Sequence, residues 1–375
     1  MDGKQRIEAA LSGDGAHAIP AVICYEGIFV RDHWRQLTMH PWWYRDAPDL
    51  ERQVLWRREA LPKIGQDWFY LPPFYSLEER QCLRLETRSD GIFRVDRCTG
   101  EEVRLEEPAV GGWSHQEAVE SVHPDYLIET IGEIDKLVPL PGDEMHDPSR
   151  DDLAAALLKE FGETRYPFGY ISSPLWNCYY LWGFEEMMVL IARRPDLVAH
   201  ACQRFLQSAL ASVREAARRG VAGLWIEDCF TDMIRPEAFE SLNLRFLIPL
   251  VEEIRAAGMA SIHYFCGNPA GKWPLLLSTG ADAIALEESK KGFNIDIEDI
   301  VERVGGRMAV LGNLDAIGVL QDGTEEALRA EITRQIAAGR RNGSRFVMSV
   351  GSPVTPATPV ERVRLYCDLA RELGS

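Results

Sequence analysis

The second half of the chain alternates amphipathic stretches with short apolar runs, and glycine ends most of the amphipathic stretches. The helical patterns cover 195–220, 236–258, 270–280, 297–306, 324–343 and 359–373. The apolar runs between them are GLWIED, SIHYFC, ADAIALEE, RMAVLGN and SRFVMSVG. Proline suits the first turn of a helix and glycine suits its C-terminal end. The pattern therefore predicts five parallel strands joined by helices.

The first half is less regular, but it adds three strand candidates, AIPAVICYEG, DWFYLPP and YPFGYISSP. About eight strands of this kind predict an α/β fold, a (β/α)8 TIM barrel that follows a short N-terminal extension. The stretch 83–107 alternates apolar and polar residues around SDG and CTGE turns, which indicates an antiparallel hairpin excursion from the barrel. No stretch is typical of a flexible linker, so we expect residues 1–375 to form a single domain. A doubly wound sheet is the alternative, but no GxGxxG motif follows the first strand.

Charge and composition narrow the class of protein. The formal net charge of −17 would repel phosphate backbones, and the 41 basic residues are interspersed with acids, which disfavours a nucleic-acid partner. No apolar run approaches the roughly 20 residues of a membrane helix, and the N-terminus lacks a signal-peptide core. The eight cysteines include no CxxC pair, which suits a reducing compartment better than a disulfide framework. We expect a cytoplasmic protein without membrane contact, either a monomer or a homodimer.

Polar residues gather where the predicted strands end. In a TIM barrel, the C-terminal ends of the strands form the active-site face. These ends carry Glu26, Glu227 with Asp228, His263 with Cys266, Glu287 with Glu288, Asn313 with Asp315, and Ser349 with Ser352. Imidazole and thiol groups are good zinc ligands. Adjacent residues of a strand point to opposite faces, so we expect Glu227 to enter the barrel mouth and Asp228 to support it or cap a helix.

From about Gly223 to the C-terminus, the chain resembles the uroporphyrinogen decarboxylase superfamily, particularly its zinc-dependent, corrinoid-linked methyltransferase branch. The resemblance rests on HYFCGN, GADAIALEE, LGNLDAIGVLQDGTEE and GSPVTPATPVERV. Porphyrinogen decarboxylases carry an arginine-rich segment after the first strand, because a substrate with many carboxylates needs cationic anchors. Here VICYEGIFVRDHW places Glu26 near the position of an arginine. This departure argues against porphyrinogen decarboxylation.

A second departure concerns the metal. Thiol-using methyltransferases of the superfamily hold zinc with a His and a Cys one residue apart and a second Cys near the C-terminus. In this chain the His–Cys spacing is one residue longer, and Ser352 stands in place of the second Cys. These differences argue against a zinc site with two thiolates. Enzymes that demethylate methoxylated aromatics are closer, since that branch builds its zinc site from carboxylates and a His.

The resemblance implies the following residue roles. Zn²⁺ would be held by Glu227, His263 and Cys266, with Glu287 or Glu288 as alternative ligands. The catalytic candidates are Glu227, Asp228 and Tyr264, whose hydroxyl would bond a leaving oxygen. The substrate-binding candidates are Glu26, Asn313, Asp315 and Ser352.

The implied reaction is methyl transfer between a small methylated substrate, in the first place a methoxylated aromatic, and the cobalt of a corrinoid. The chain contains no DxHxxG corrinoid motif, so the corrinoid would arrive on a partner protein. Two alternatives remain open at this point. One is a metal-independent decarboxylase or lyase that acts on a small carboxylated substrate. The other is a catalytically inactive binding homologue, a hypothesis motivated by Ser352.

Overall fold

The centre of the molecule is a curled sheet of seven parallel strands, which lie side by side in their order along the chain. The computed structural model describes residues 1–13, 15, 18–112, 122, 124, 126–142, 146–289 and 292–375. The sheet strands are β1 (Trp68–Tyr70), β5 (Tyr166–Ser172), β6 (Gly223–Asp228), β7 (Ala260–Phe265), β8 (Ala283–Leu286), β9 (Ala309–Leu311) and β10 (Phe346–Val347). A separate antiparallel sheet contains β2 (Leu83–Arg88), β3 (Gly91–Asp96) and β4 (Glu102–Leu105).

Helices connect the strands. They are α1 (Gly3–Leu11), α2 (Glu26–Asp32), α3 (Trp34–Leu37), α4 (Leu50–Ile64), α5 (Leu77–Cys82), α6 (Ile131–Leu137), α7 (Asp152–Phe161), α8 (Pro174–Arg193), α9 (Pro195–Arg219), α10 (Pro236–Phe239), α11 (Arg245–Ala256), α12 (Trp273–Leu277), α13 (Ile297–Val304), α14 (Glu325–Arg341) and α15 (Val360–Leu373). Two π-helical segments cover Glu240–Leu244 and Ala316–Gln321. Among the described residues, no helix combines the length and apolar character needed to cross a bilayer.

A short extended segment at Ala21 and Val22 links β1 and β10, the two edge strands of the parallel sheet. The Val22 amide donates to the Met348 carbonyl at 2.9 Å, and the Asp67 amide donates to the Ala21 carbonyl at 2.9 Å. Ala21 and Met348 form an isolated parallel bridge, so the run predicted as the first strand contributes only a short extended contact. Together with the helices outside the sheet, this arrangement is TIM-barrel-like.

The helix predictions are most accurate where proline and glycine mark both ends. Helix α9 starts at Pro195 and ends before Gly220, whose φ of 89° is left-handed, as the pattern over 195–220 predicted. The single helix predicted over 236–258 is instead divided into α10, a π-helical segment and α11. The π-helical segment brings Asn243 into the core, where it is fully buried.

The predicted hairpin is present and has a third strand. Strands β2 and β3 pair from Leu83↔Asp96 to Arg88↔Gly91, and β4 adds to the far side of β3. A disulfide joins Cys82 to Cys98. The cysteine pattern favoured a reducing compartment over a disulfide framework, but this pair is bonded, because the register of β2 and β3 brings the two residues together, with their Cα atoms 5.4 Å apart.

Aromatic side chains fill the interior enclosed by the curled sheet. The Tyr25 ring centroid lies 6.1 Å from those of Tyr170 and Trp225, and 5.8 Å from that of Tyr264. Trp225 also stacks on Tyr264 at 4.8 Å. Because Tyr25 precedes α2 while the other three residues come from β5, β6 and β7, these rings meet inside the barrel rather than on its helix-covered surface.

Candidate functional site

The register of three neighbouring strands shows which residues face the barrel mouth. Ser172 pairs with Glu227, and Glu227 pairs with Tyr264. Paired residues of a parallel sheet lie on the same face, and alternate residues of one strand also share a face. Since Trp225 and Tyr264 point inward, Glu227 also belongs to the interior face. It is partly exposed and lies at the C-terminal end of β6.

Asp228 and His263 lie on the opposite, helix-covered face. The Asp228 carboxylate accepts from Ser173 Oγ at 3.0 Å and from Asn243 Nδ2 at 2.8 Å, and its Oδ2 is 3.0 Å from His263 Nε2. Ser173 also caps the first turn of α8, where the Trp176 amide donates to its Oγ. This buried network fixes the ends of β6 and β7 to the surrounding helices. The structure therefore does not bring the imidazole of His263 together with the mouth-facing residues.

Two thiols lie side by side at the mouth. The last paired residues of β6 and β7 are Asp228 and Phe265, and the Cys266 amide continues the ladder by donating to the Asp228 carbonyl at 3.1 Å. Cys229 and Cys266 follow directly, and both are partly exposed. A hydrogen-bond interaction with the Cys266 thiol, followed by burial, raises the pKa of Cys229 well above its usual value. The sequence prediction included Cys266 but not Cys229.

Several tyrosines surround Glu227. Burial and then the charge of Glu227 raise the pKa of Tyr25. The same two causes, in the same order, raise the pKa of the half-exposed Tyr180 on α8. These hydroxyls therefore remain protonated at neutral pH. The Tyr264 hydroxyl donates to the Gly351 carbonyl at 3.1 Å, so the hydroxyl proton is engaged in a hydrogen bond to the loop after β10.

Two non-glycine residues at the mouth have left-handed backbone conformations. Tyr25 has a φ of 56° and Phe230 has a φ of 63°. Such residues cost roughly 1–3 kcal/mol unless their surroundings hold them, and they concentrate at functional sites. The Phe230 ring is held 5.1 Å from Trp176 and 5.0 Å from Phe184. The turn at Phe230 comes directly after Cys229 and ends the extended backbone there.

Glu26 is buried next to β1. Its Oε2 accepts from Gln66 Nε2 at 2.6 Å and from the Tyr70 amide at 3.4 Å. Burial raises the pKa of Glu26 to about 7, although nearby Arg57 opposes this shift. In this position the Glu26 carboxylate accepts hydrogen bonds from buried donors of neighbouring residues. Its predicted role in substrate binding stays a prediction.

The other predicted substrate-binding residues make local contacts. Asn313 Nδ2 donates to the Ile295 carbonyl at 2.8 Å, and Asp315 Oδ1 accepts from two amides that begin the second π-helical segment. Ser352 Oγ donates to Glu288 Oε2 at 2.7 Å. These bonds order the loops around the mouth, and they bring Ser352 together with Glu288.

A cavity of about 290 Å³ borders Glu227. The residues that line it include Tyr170 and Ser172 of β5, Asn177 of α8 and Ser212 of α9. Its described lining contains hydroxyl, amide and carboxylate groups together with apolar side chains. The cavity is thus suited to a small polar molecule beside the Glu227 end of β6.

The uroporphyrinogen decarboxylase (URO-D) family model matches residues 117–373. Because this stretch is well over half of the chain, the chain belongs to the uroporphyrinogen decarboxylase family, which confirms the resemblance seen in the sequence.

Individual relatives are distant. The uroporphyrinogen decarboxylase of Legionella pneumophila (strain Lens) is 23% identical over 230 residues, which are 59% of this chain and 63% of that protein. The chain thus spans a little under two thirds of the length of that relative. The uroporphyrinogen decarboxylase of Trichodesmium erythraeum (strain IMS101) is 24% identical over 280 residues, which are 72% of this chain and 75% of that protein.

Among solved structures, a methyltransferase from Methanosarcina mazei matches the whole of both chains with a TM-score of 0.68 and 16% sequence identity. At this identity the match demonstrates a shared fold. The shared fold covers the full length of the chain.

Proposed function

We propose that this protein is a metal-dependent methyltransferase that moves a methyl group between a small methylated substrate and a corrinoid carried by a partner protein. The observation that carries the proposal is the composition of the mouth where β6 and β7 end. Glu227 and Cys266 lie there on the interior face, and the structural match to a methyltransferase extends over the whole chain. A carboxylate and a thiol provide donors that bind zinc.

The substrate class follows from the interior lining. Tyr25, Tyr170, Trp225 and Tyr264 pack together below the mouth, and of these four Tyr170 is partly exposed and lines the cavity beside Glu227. Such an aromatic environment favours a flat, largely apolar methyl donor, and a methoxylated aromatic is the substrate that we propose first. When bound, the metal would stabilise negative charge on the leaving oxygen, and the corrinoid cobalt would take the methyl group.

The chain's own residues have separate tasks in this proposal. Glu227 would hold the metal from the interior face of β6. Asp228 and His263 form a buried pair at 3.0 Å that positions the ends of β6 and β7. The Tyr264 side chain lies below the site and is held in place, because its hydroxyl donates a hydrogen bond to the Gly351 carbonyl.

The first test follows the absorbance of cob(I)alamin as it is methylated from a methoxybenzoate, with and without zinc. We expect Glu227→Gln to slow methylation by roughly 100-fold, because a change in the groups that hold a metal weakens metal binding or activity by about that factor. The matched control is Glu240→Gln, because Glu240 is exposed on the π-helical segment. Equal rates in Glu227→Gln and Glu240→Gln would contradict the role proposed for Glu227.

Decarboxylation is the second candidate, and the family assignment favours it directly. A decarboxylase that works without metal would release CO₂ from a carboxylated substrate in the presence of a chelator. At the position where the resemblance led us to expect an arginine, Glu26 is buried beside Gln66 and β1, so that position itself supplies no cationic anchor for a porphyrinogen. Measuring CO₂ release from small carboxylated substrates by the chelator-treated protein tests this second candidate.

A further inference from the structure

The disulfide at the base of the antiparallel sheet joins two segments that the backbone already holds together. Cys82 ends α5, Asp96 ends β3, and Cys98 lies in the turn between β3 and β4. The pair Leu83↔Asp96 closes the ladder of β2 and β3, and beyond it the Arg97 amide donates to the Cys82 carbonyl at 3.0 Å. These backbone bonds keep the two cysteines side by side whether or not their sulfurs are joined.

The carboxylate of Asp96 lies beside the two sulfur atoms. The ligand atoms of Cys82, Asp96 and Cys98 are all within 4.8 Å of one another. Asp96 Oδ1 accepts from the Cys98 amide at 2.8 Å and from the Thr99 amide at 3.1 Å, which fixes the carboxylate in this position. The Thr99 amide, followed by the Cys98 amide, lowers the pKa of Asp96 below its ordinary value. Asp96 is therefore an anion at neutral pH.

The two sulfurs differ in their access to solvent, because Cys98 is exposed and Cys82 is half-buried. A dithiol reductant therefore reaches the Cys98 sulfur more easily. One of its thiolates bonds to that sulfur while the disulfide breaks and Cys82 leaves as a thiolate, and its second thiol then releases Cys98. In total, two electrons and two protons pass from the dithiol to the protein, and the dithiol becomes a disulfide.

We propose that reduction converts this disulfide into a zinc site formed by Cys82, Cys98 and Asp96, and that oxidation by a hydroperoxide expels the metal. Two thiolates and a carboxylate are donors that zinc binds, and water would occupy the fourth position of the tetrahedron. Zn–S bonds of about 2.3 Å place the two sulfurs about 3.8 Å apart in such a tetrahedron. With the Cα atoms 5.4 Å apart, rotation of the two side chains provides this separation.

The exchange between the two forms is balanced. The two thiols each lose a proton when zinc binds. When a hydroperoxide oxidises the two thiolates, their sulfurs bond again and supply two electrons. With two protons, the hydroperoxide becomes an alcohol and water, and the zinc leaves because both sulfur donors are consumed.

This site goes beyond the proposed function, since its ligands belong to the antiparallel sheet and not to the barrel mouth. The disulfide and the metal would close the same loop between Cys82 and Cys98. The sheet is thus cross-linked when it is oxidised and when it is reduced with zinc bound, and it loses the cross-link when it is reduced without metal.

The experiment titrates the full-length protein with Co²⁺ in two forms, one with the disulfide intact and one reduced by a phosphine under argon. We expect the reduced form to bind about one more Co²⁺ per chain, with thiolate-to-cobalt charge-transfer absorption, and Zn²⁺ to displace this ion. The disulfide form accounts for any metal bound elsewhere in the chain. Cys82→Ser and Cys98→Ser should each lose the additional ion.

Asp96→Asn tests the third ligand. The asparagine oxygen can still accept from the two amides, but it carries no charge, so we expect Co²⁺ binding at least about tenfold weaker. The matched control is Asp90→Asn, because Asp90 is exposed in the turn between β2 and β3, and this variant should bind Co²⁺ as the wild type does. Circular dichroism establishes that each variant is folded.

The oxidation step is measured on the reduced protein loaded with Zn²⁺. Hydrogen peroxide should release about one Zn²⁺ per chain as the disulfide between Cys82 and Cys98 forms, read with a chromogenic chelator and by mass spectrometry of the linked peptides. The release should be absent from Cys98→Ser, which cannot form this disulfide.

Three results would overturn the proposal. They are equal Co²⁺ binding by the reduced and disulfide forms, an additional ion that survives in both Cys82→Ser and Cys98→Ser, and a disulfide that forms again while the metal stays bound. The comparison of the two redox forms needs no substitution, so it tests the proposal even where a variant fails to fold. None of these readouts depends on methyl transfer, so this proposal and the proposed function fail separately.

Discussion

Glu227 and Asp228 are adjacent in sequence and face opposite sides of the sheet. Glu227 is partly exposed at the mouth, whereas Asp228 is fully buried and accepts hydrogen bonds from Ser173 and Asn243 while contacting His263. We expect Asp228→Ala to lower the free energy of unfolding by about 3 kcal/mol, because it leaves these buried polar groups without their shared partner. Urea denaturation measures the change.

Glu227→Gln provides the comparison for that variant. Its side chain is half-buried at the mouth, so we expect its free energy of unfolding to stay within about 0.5 kcal/mol of the wild-type value. A loss of stability in Glu227→Gln as large as that in Asp228→Ala would contradict the assignment of the two side chains to opposite faces.

Glu26 makes stability depend on pH. Its pKa in the folded protein is about 7, against 4.5 for an ordinary glutamate, and burial is the main cause. Between these values the folded chain retains a proton that the unfolded chain has lost, so stability falls as the pH rises from 4.5 to 7. This rise in the pKa of Glu26 lowers the free energy of unfolding by about 3 kcal/mol, and the full loss is reached above pH 7.

Glu26→Gln removes this titration and should abolish the fall. Urea denaturation of both proteins at pH 5 and pH 8 tests the prediction. A wild-type slope that persists unchanged in Glu26→Gln would assign the pH dependence to other groups.

At the scale of elements, the loops after β6 and β7 depend on one glycine. In Gly267→Ala the new Cβ would clash with the Asp232 carboxylate at a φ of 104°. Gly258 also has a positive φ, of 78°, but no atom lies within 4 Å of the position that an added Cβ would take. We expect Gly258→Ala to cost about 1 kcal/mol and Gly267→Ala clearly more, at least about 2 kcal/mol. Denaturant unfolding measures both.

The comparison separates the clash from the backbone conformation, because both glycines have a positive φ. Similar losses of stability in the two variants would show that the clash with Asp232 is relieved without cost.

The elements that could be predicted from sequence are those with local chemical signals. Pro195 and Gly220 mark the ends of α9, and GLWIED corresponds to the whole of β6. The π-helical segment at Glu240–Leu244 could not be predicted, since its residues have no helix-breaking signal and its form follows from packing Asn243 against Asp228. The length of the first predicted strand, in AIPAVICYEG, was overestimated, because only Ala21 forms a β-bridge.

At the scale of the whole molecule, the site depends on register between strands far apart in sequence. The alternation rule assigns Glu227 and Asp228 to opposite faces of the sheet. Applied to β7, the same rule separates His263 from Tyr264 and Cys266, a signal that the ligand prediction did not use. Cys229 was missed because its proximity to Cys266 appears only once β6 and β7 are aligned.

The central claim is that this member of the uroporphyrinogen decarboxylase family transfers methyl groups. The most direct measurement follows the fate of isotopic label in a methoxybenzoate that carries ¹³C in its methyl group, incubated with the zinc-loaded protein and cob(I)alamin. Our account predicts ¹³C-methylcobalamin in the NMR spectrum of the wild-type reaction, with formation roughly 100-fold slower in Glu227→Gln. No labelled methylcobalamin, together with metal-independent CO₂ release from a carboxylated substrate, would contradict it.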